Sequence, residues 1–282
     1  MKSLLMPESY NYIAVFLTFR CNLSCSFCIN NFELQPKCSK WNHLSASEWA
    51  VGLNRIISKP DLPITFQGGE PTLHKGFADI VKNIKTELSI DVLTNLRDEK
   101  VFLDNINPQR LRREAPYASI RVSYHPEQMD LDSLMKKVLC LQNAGFSIGI
   151  WGVMHPEQKS EIKRAQRFCR KVGIDFRTKE FLGEYDGKVY GEYRYPEAIK
   201  KEKRKTVLCK TTELIIGPNG DVFRCTADIY CRRNSIGNIL DPQFQIKDEF
   251  RRCDWFGHCN PCDVKIKTDR FQQYGHSSVE IK

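Results

Sequence analysis

The sequence predicts an α/β fold: a partial (β/α)6 barrel of TIM type, followed by a small C-terminal appendage of a β-hairpin plus helix that binds a metal cluster. Three observations predict it. Strand-like apolar runs and helical stretches alternate six times at roughly 30-residue intervals, which calls for parallel strands and right-handed crossovers. Six such units, not the eight of a closed barrel, leave the barrel open. The first run ends at three cysteines, Cys21, Cys25 and Cys28, and most of the remaining cysteines fall after residue 200. The expected division is 1–195 for the barrel and 196–282 for the appendage.

The first strand is Tyr12 to Phe19, a β-branched and aromatic run of strand length. SASEWAVGLNRIIS (45–58) reads as a helix that Ser45 or Ser47 can cap, with Trp49, Leu53, Ile56 and Ile57 on one face. PDLP breaks it, and ITFQ (64–67) is a short strand ending in Gly68-Gly69-Glu70-Pro71. KGFADIVKNIKTEL is helical, IDVLTNL (90–96) is a strand, and 98–114 is expected to be helical despite Pro108. ASIRVSY (118–124) is a strand, LDSLMKKVLCLQNAG a helix stopping at Gly145, and FSIGIWGVM a strand. PEQKSEIKRAQRFCRKVG is a helix stopping at Gly173, and IDFRTKEF the sixth strand. SYHPEQ (123–128) and VMHPEQ (153–158) echo each other at strand ends. Pro126 and Pro156 suit a first helical position, with Glu127 and Glu157 in the electropositive first turn. His125 and His155 then stand at the strands' C-terminal mouth, where βα-barrels keep their chemistry, as candidate substrate contacts; capping the helix start explains them equally.

With 282 residues, 41% of them hydrophobic, the chain can bury a substantial core. No stretch has the length of a membrane span and MKSLLMPES is too short for a signal sequence, so a cytoplasmic protein is expected, without a membrane partner. Twelve cysteines in such a chain argue for a reducing compartment and metal ligation over disulfides. The net charge of +9 is spread out apart from KKEKRK (200–205), which reads as a solvated face. No basic–aromatic interleaving accompanies it, so nucleic acid is not an expected partner.

Cys21, Cys25 and Cys28 form C-x3-C-x2-C on one short loop. Three thiols cannot pair off without leaving one over, whereas a cubane iron–sulfur cluster can take three thiolates and keep one iron open. A zinc knuckle or a redox thiol cluster is the competing reading. LTFRCNLSCSFC, with Phe27 before the third cysteine, resembles the signature loop of the radical S-adenosylmethionine (SAM) enzymes. That resemblance implies a 4Fe-4S cluster on the three thiolates. Its open iron chelates SAM, and its reduction splits SAM into methionine and a 5′-deoxyadenosyl radical. It also implies a flavodoxin- or ferredoxin-type electron donor.

Gly68, Gly69, Glu70 and Pro71 match the GGEP-type motif these enzymes carry after the second strand, which implies contact with the amino group of SAM. As a lone tetrapeptide the same residues would make an ordinary turn. Thr94 and Asn95 end the third strand and Ser123 the fourth, where the family places polar residues near SAM; each could equally satisfy loop backbone.

Cys209 and Cys225 frame a hairpin, ELIIGPNGDVFRC, in a C-x10-G-x4-C pattern, and Cys259 and Cys262 form a C-x2-C bite. Four thiolates suit a second 4Fe-4S cluster or a zinc ion. The pattern resembles the SPASM and twitch appendages of radical SAM enzymes. The cysteine order departs from a full SPASM domain and fits the one-cluster twitch form, with ligands Cys209, Cys225, Cys259 and Cys262. Cys231 and Cys253 stay unassigned, as substitute ligands or hydrogen-atom donors to a substrate radical. Cys38, Cys140 and Cys169 are expected not to be ligands.

The resemblance implies an oxidoreductase that abstracts a substrate hydrogen. The barrel begins by Tyr12 with no room before it for a fused peptide-recognition domain, so the expected substrate is a small molecule, sugar- or aminocyclitol-like, undergoing net oxidation. A maturase of ribosomally made peptides is the alternative, and a non-catalytic iron–sulfur or zinc module the remote one. FLGEYDGKVYGEYRYP (181–196) could cover the substrate or serve as an exposed linker.

Overall fold

The computed structural model describes residues 2–31, 41–267 and 275–282, so Cys38 lies outside the described residues. Six parallel strands lie in sequence order: β1 (Tyr12–Thr18), β2 (Ile64–Gly68), β3 (Ile90–Thr94), β4 (Ile120–Tyr124), β5 (Ile148–Met154) and β6 (Phe176–Glu180). The registers run Ile13↔Ile64, Ile64↔Ile90, Val92↔Ile120, Ile120↔Ile148 and Ile150↔Phe176. Their Val, Ile and Phe side chains are buried among the connecting helices, as parallel strands covered on one side require. The alternate side chains face a cavity in the open barrel.

The connections are less regular than their sequence suggests. Helix α1 (Ala46–Leu53) has Ser45 as its cap, in a capping box with Glu48. It stops before Ile56–Ile57, which the helical pattern had included and which pairs in parallel with Leu4–Leu5. This trade buries Ile56 and Leu4, while the helix keeps Trp49 and Leu53 inside. Helix α2 (Phe77–Asn83) follows β2. The helix expected over 98–114 shrinks to α3 (Lys100–Leu103) and a 3-10 turn at Pro108–Leu111. Pro108 lacks an N–H and disfavours the helical region for Asn107, whose side chain caps the turn instead.

Helix α4 (Leu131–Asn143) starts five residues later than Pro126 suggested, because Asp130 caps it by accepting from Ser133 N–H. Pro126–Gln128 form a turn. Pro156 does open a 3-10 turn, which runs into α5 (Lys159–Lys171). Cys140 and Cys169 lie within α4 and α5, the first exposed and the second buried against Met135.

The hairpin forms over Glu213–Ile216 and Asp221–Phe223. Its first strand also pairs in parallel with β1, from Glu213↔Tyr12 to Ile216↔Val15, so the barrel sheet runs on to nine strands. Leu214, Ile216 and Val222 thereby join the barrel's own core. Beyond it, Lys205–Thr211 is the middle strand of a three-stranded antiparallel sheet with Arg251–Phe256 and Val279–Ile281. Two short helices, α6 (Thr226–Tyr230) and α7 (Pro261–Val264), follow Cys225 and contain Cys262. Among the described residues, no helix is long and apolar enough to cross a membrane.

Candidate active site

Cys21, Cys25 and Cys28 leave the C-terminal end of β1 on a loop that forms one wall of a cavity of about 2390 Å3. None is in a disulfide, and Cys28 N–H donates to the Cys25 carbonyl at 3.3 Å. Burial, then the neighbouring Cys28 thiol, then Glu127 push the Cys25 thiol up to about 12. Burial also raises Cys21, with Cys28 adding to it. Three reduced thiols within electrostatic reach of one another on a cavity rim offer the donor chemistry of a cluster held from one side, whose binding would displace their protons, although among the described residues no three Cys, His, Asp or Glu side chains are gathered closely enough to enclose a metal ion.

The neighbouring strand ends are sewn to this loop. Gly69 N–H donates to the Thr18 carbonyl (2.9 Å) and Glu70 N–H to the Arg20 carbonyl (2.8 Å). A Cβ on Gly69 would stand 2.1 Å from the Arg20 oxygen, and Gly68 has φ +124°, so both positions demand glycine. Glu70 is 1% exposed, and its carboxylate accepts from Thr72 N–H (3.1 Å), Thr72 Oγ1 (2.7 Å), Thr94 Oγ1 (2.9 Å) and Asn95 N–H (2.7 Å). It thus ties the end of β2 to that of β3. Burial raises the Glu70 carboxyl pKa against those hydrogen bonds. The Asn95 amide reaches Cys21 Sγ (3.8 Å) and Asn22 Oδ1 (2.7 Å). Gly68, Gly69, Glu70, Thr94, Asn95 and Ser123 all line the cavity beside the three thiols. Pro71 opens the 3-10 turn behind them.

His125 and His155 sit across the mouth. Phe27 stacks on His155 at 4.9 Å and lies 5.7 Å from His125. Both Nδ1 atoms are buried without a hydrogen-bond partner. Burial lowers the His125 pKa, which keeps that ring neutral near pH 7. Phe181 and Tyr185 close on His155 at 4.7 and 4.8 Å. They belong to the Tyr- and Gly-rich segment, which forms a hairpin, Gly183–Tyr185 with Lys188–Tyr190, against the cavity.

Other contacts were hidden from the sequence. Glu127 accepts from Ser26 N–H (2.8 Å) and Ser26 Oγ (2.9 Å), and Gln128 Oε1 from Ser24 N–H (3.0 Å). The two backbone donors flank Cys25, so the turn after β4 braces the thiol loop. The Pro-Glu pair had read as a helix start; the spare signal was the repeat of HPEQ as a whole, glutamine included.

The second thiol group lies on the far side. Cys209 is pushed up to about 12 by burial and then by Cys253, and Cys225 is raised by burial with Cys209 contributing. Burial, Asp263 and then Cys209 and Cys253 raise Cys259. Cys209, Cys225 and Cys259 pack on one small apolar cluster. Cys262, up to about 11 by burial, lines the main cavity together with Cys259, which the lining residues Cys21, Cys25 and Cys28 also face. Tyr230 joins the two groups: its hydroxyl donates to Asn30 Oδ1 at 2.8 Å and is raised by burial, then by Cys262 and Cys28. Cys231 follows α6, and Cys253 sits on the strand beside Cys209.

A sequence model of the radical SAM superfamily matches residues 15–179, more than half of the chain. The chain belongs to that superfamily. Radical SAM enzymes work with a 4Fe-4S cluster and SAM. PqqA peptide cyclase of Rhodopseudomonas palustris is 32% identical over 108 residues, 38% of this chain and 27% of the relative. GTP 3′,8-cyclase of Campylobacter jejuni is 32% identical over 109 residues, covering 36% and 33%. The aligned part thus spans a third or less of these relatives. Among solved structures, anSMEcpe with bound AdoMet and the Kp18Cys peptide aligns over 94% of this chain and 93% of that one, with TM-score 0.55 and 14% identity. SuiB of Streptococcus suis with S-adenosylmethionine aligns over 83% and 64%, with TM-score 0.53 and 17% identity. At such identities the likeness is one of fold.

Proposed function

We propose that this radical SAM enzyme removes a hydrogen atom from a substrate held in the barrel lumen, between a SAM-binding cluster on Cys21, Cys25 and Cys28 and a second cluster in the C-terminal part. The net reaction is then an oxidation. The observation that carries this reading is a single cavity lined both by the three thiols and by Cys259 and Cys262. Bound to the first trio, the cluster would supply the one-electron cleavage of SAM that yields the hydrogen-abstracting 5′-deoxyadenosyl radical.

The chain's own residues do the rest by positioning. Glu127, Gln128 and Asn95 hold the thiol loop, and the strand ends from Gly68 to Asn95 form a polar cradle for the amino-acid end of SAM. Ser123 faces the same space. His125 and His155 line the mouth as candidate substrate contacts. The 183–190 hairpin shields it from water, which a carbon radical requires. Cys209, Cys225, Cys259 and Cys262 would hold the auxiliary cluster in the twitch manner, with 196–282 as the functional unit that carries it. Cys253 acts on both Cys209 and Cys259 and is the thiol best placed to substitute as a ligand. Neither Cys231 nor Cys253 lines the lumen, which counts against the hydrogen-donor role for both.

A second reading, peptide maturation, draws support from the names of PqqA peptide cyclase and of the peptide-bound anSMEcpe structure. Either substrate needs an external electron donor of flavodoxin or ferredoxin type. Anaerobically reconstituted protein should carry about eight irons per chain, falling to about four when Cys209 and Cys225 are both replaced by Ala. Zinc in the second site, or iron unchanged by that double replacement, would overturn the auxiliary-cluster assignment.

A further inference from the structure

The lumen has a cationic floor that the radical chemistry does not use. On β4 the alternation of the strand turns Arg121 and Ser123 into the cavity, while Ile120, Val122 and Tyr124 are in the core. Arg121 is 9% exposed. Its Nη2 donates to Asp91 Oδ2 at 3.1 Å, and its Nε has no hydrogen-bond partner. Asp91, fully buried, already takes a two-pronged grip from Arg113, Nε to Oδ1 at 2.8 Å and Nη2 to Oδ2 at 3.0 Å. One carboxylate therefore faces two guanidiniums, and positive charge is left over in a buried place.

The next strands extend this face. Arg177 on β6 stands beside Trp151 in register, its guanidinium 5.8 Å from that ring, and Arg121 stands 5.5 Å from the Tyr117 ring. Arg177 pairs with Asp175 at 2.9 Å, but both are about two-fifths exposed, so water screens that pair. Glu213, which acts with Arg121 and Asp91 on the Tyr12 hydroxyl, is held by Lys267 and by Ser278 Oγ at 2.7 Å. Tyr117, Arg121, Trp151 and Arg177 all line the cavity that holds the thiols.

We infer that this floor is the subsite for an anionic group of the substrate, a carboxylate or a phosphate, gripped by Arg121 and Arg177 between the Tyr117 and Trp151 rings. A buried guanidinium that shares its carboxylate with a second arginine is costly until an anion balances it, and the planar fork suits either oxyanion. Ser123 lies two residues further along the same face, about 7 Å nearer the thiol mouth. The reactive C–H of the substrate is accordingly separated from its anionic group by several bonds, so that one end rests on the floor while the other reaches the SAM-cradling residues. This inference rests on the reading of the lumen as the substrate chamber.

The test is anaerobic calorimetric titration of the reconstituted, SAM-loaded protein with glutarate, with glycerol 2-phosphate and with neutral 1,5-pentanediol. At least one anion should bind saturably and the diol should not; whichever anion binds identifies the group. Arg121→Gln and Arg177→Gln should each weaken that binding about tenfold, the loss of one charge-assisted contact. Should Arg121→Gln fail to fold, the half-exposed Arg177 variant still decides. Absence of saturable binding by both anions, equal binding of the diol, or unchanged affinity in the folded variants would overturn the proposal. Release of 5′-deoxyadenosine, measured on the same samples, separates the two readings: its loss with anion binding intact sinks the radical assignment and leaves the subsite standing.

Discussion

Gly69 shows how one residue decides whether the site exists. Its missing side chain lets the end of β2 lie against the Arg20 carbonyl, where a Cβ would intrude at 2.1 Å. Gly69→Ala should cost about 1–3 kcal/mol of overpacking strain and lower iron loading with it, read from a denaturant midpoint and from iron content. Asp91 carries a different burden. Its carboxylate stands fully buried between Arg113 and Arg121, so Asp91→Asn leaves two guanidiniums facing a neutral amide. A loss of about 3 kcal/mol or more is expected in chemical unfolding. At this scale the sequence was partly legible. IRVSY already alternates, and that alternation assigns Arg121 and Ser123 to one face. What it could not tell was that Asp91, from another strand, would meet Arg121.

Among the elements, the short turn after β4 works hardest for its length. Glu127 and Gln128 accept from the backbone on either side of Cys25, so Glu127→Ala should loosen the thiol loop without touching the core. The expected outcome is a stability change within about 0.5 kcal/mol together with faster loss of iron to a chelator; equal retention would contradict the bracing role. The first five parallel strands were readable because buried Val, Ile, Leu and Phe recur over a length that suits a strand and is too short for a helix, whereas FRTKE buries only Phe176 and was placed by the alternation of strands with helices. The connections were not, since local rules compete there. Pro126-Glu127 obeys the rule for a helix start, yet Asp130 wins the cap. Ile56 and Ile57 fit the helical face of α1, yet a two-residue strand at Leu4–Leu5 claims them.

For the whole molecule, the decisive link is one no local pattern contains: the Glu213–Ile216 strand lies against β1, some two hundred residues earlier. One apolar core accordingly runs from Leu4 to Phe244. Arg55 reinforces it, donating from Nε to the Lys2 carbonyl (2.8 Å) and from Nη1 to the Ile239 and Asp241 carbonyls. Barrel and C-terminal part should therefore unfold in one calorimetric transition, and Arg55→Ala should lower its midpoint, with a loss of about 2 kcal/mol or more in stability through the buried carbonyls it orphans. Two separate transitions would contradict the shared core. The same continuity brings the thiols of the N-terminal loop and those of the C-terminal helices to one cavity, with Tyr230 between them.

Every role proposed for the lumen depends on Cys21, Cys25 and Cys28 holding the cluster that cleaves SAM. The most direct measurement is release of 5′-deoxyadenosine by anaerobic, dithionite-reduced protein, compared with the variant carrying Ala at all three positions. Release is expected from the wild type and none from the variant, which should retain about four irons at the second site. Undiminished release from the variant would contradict it.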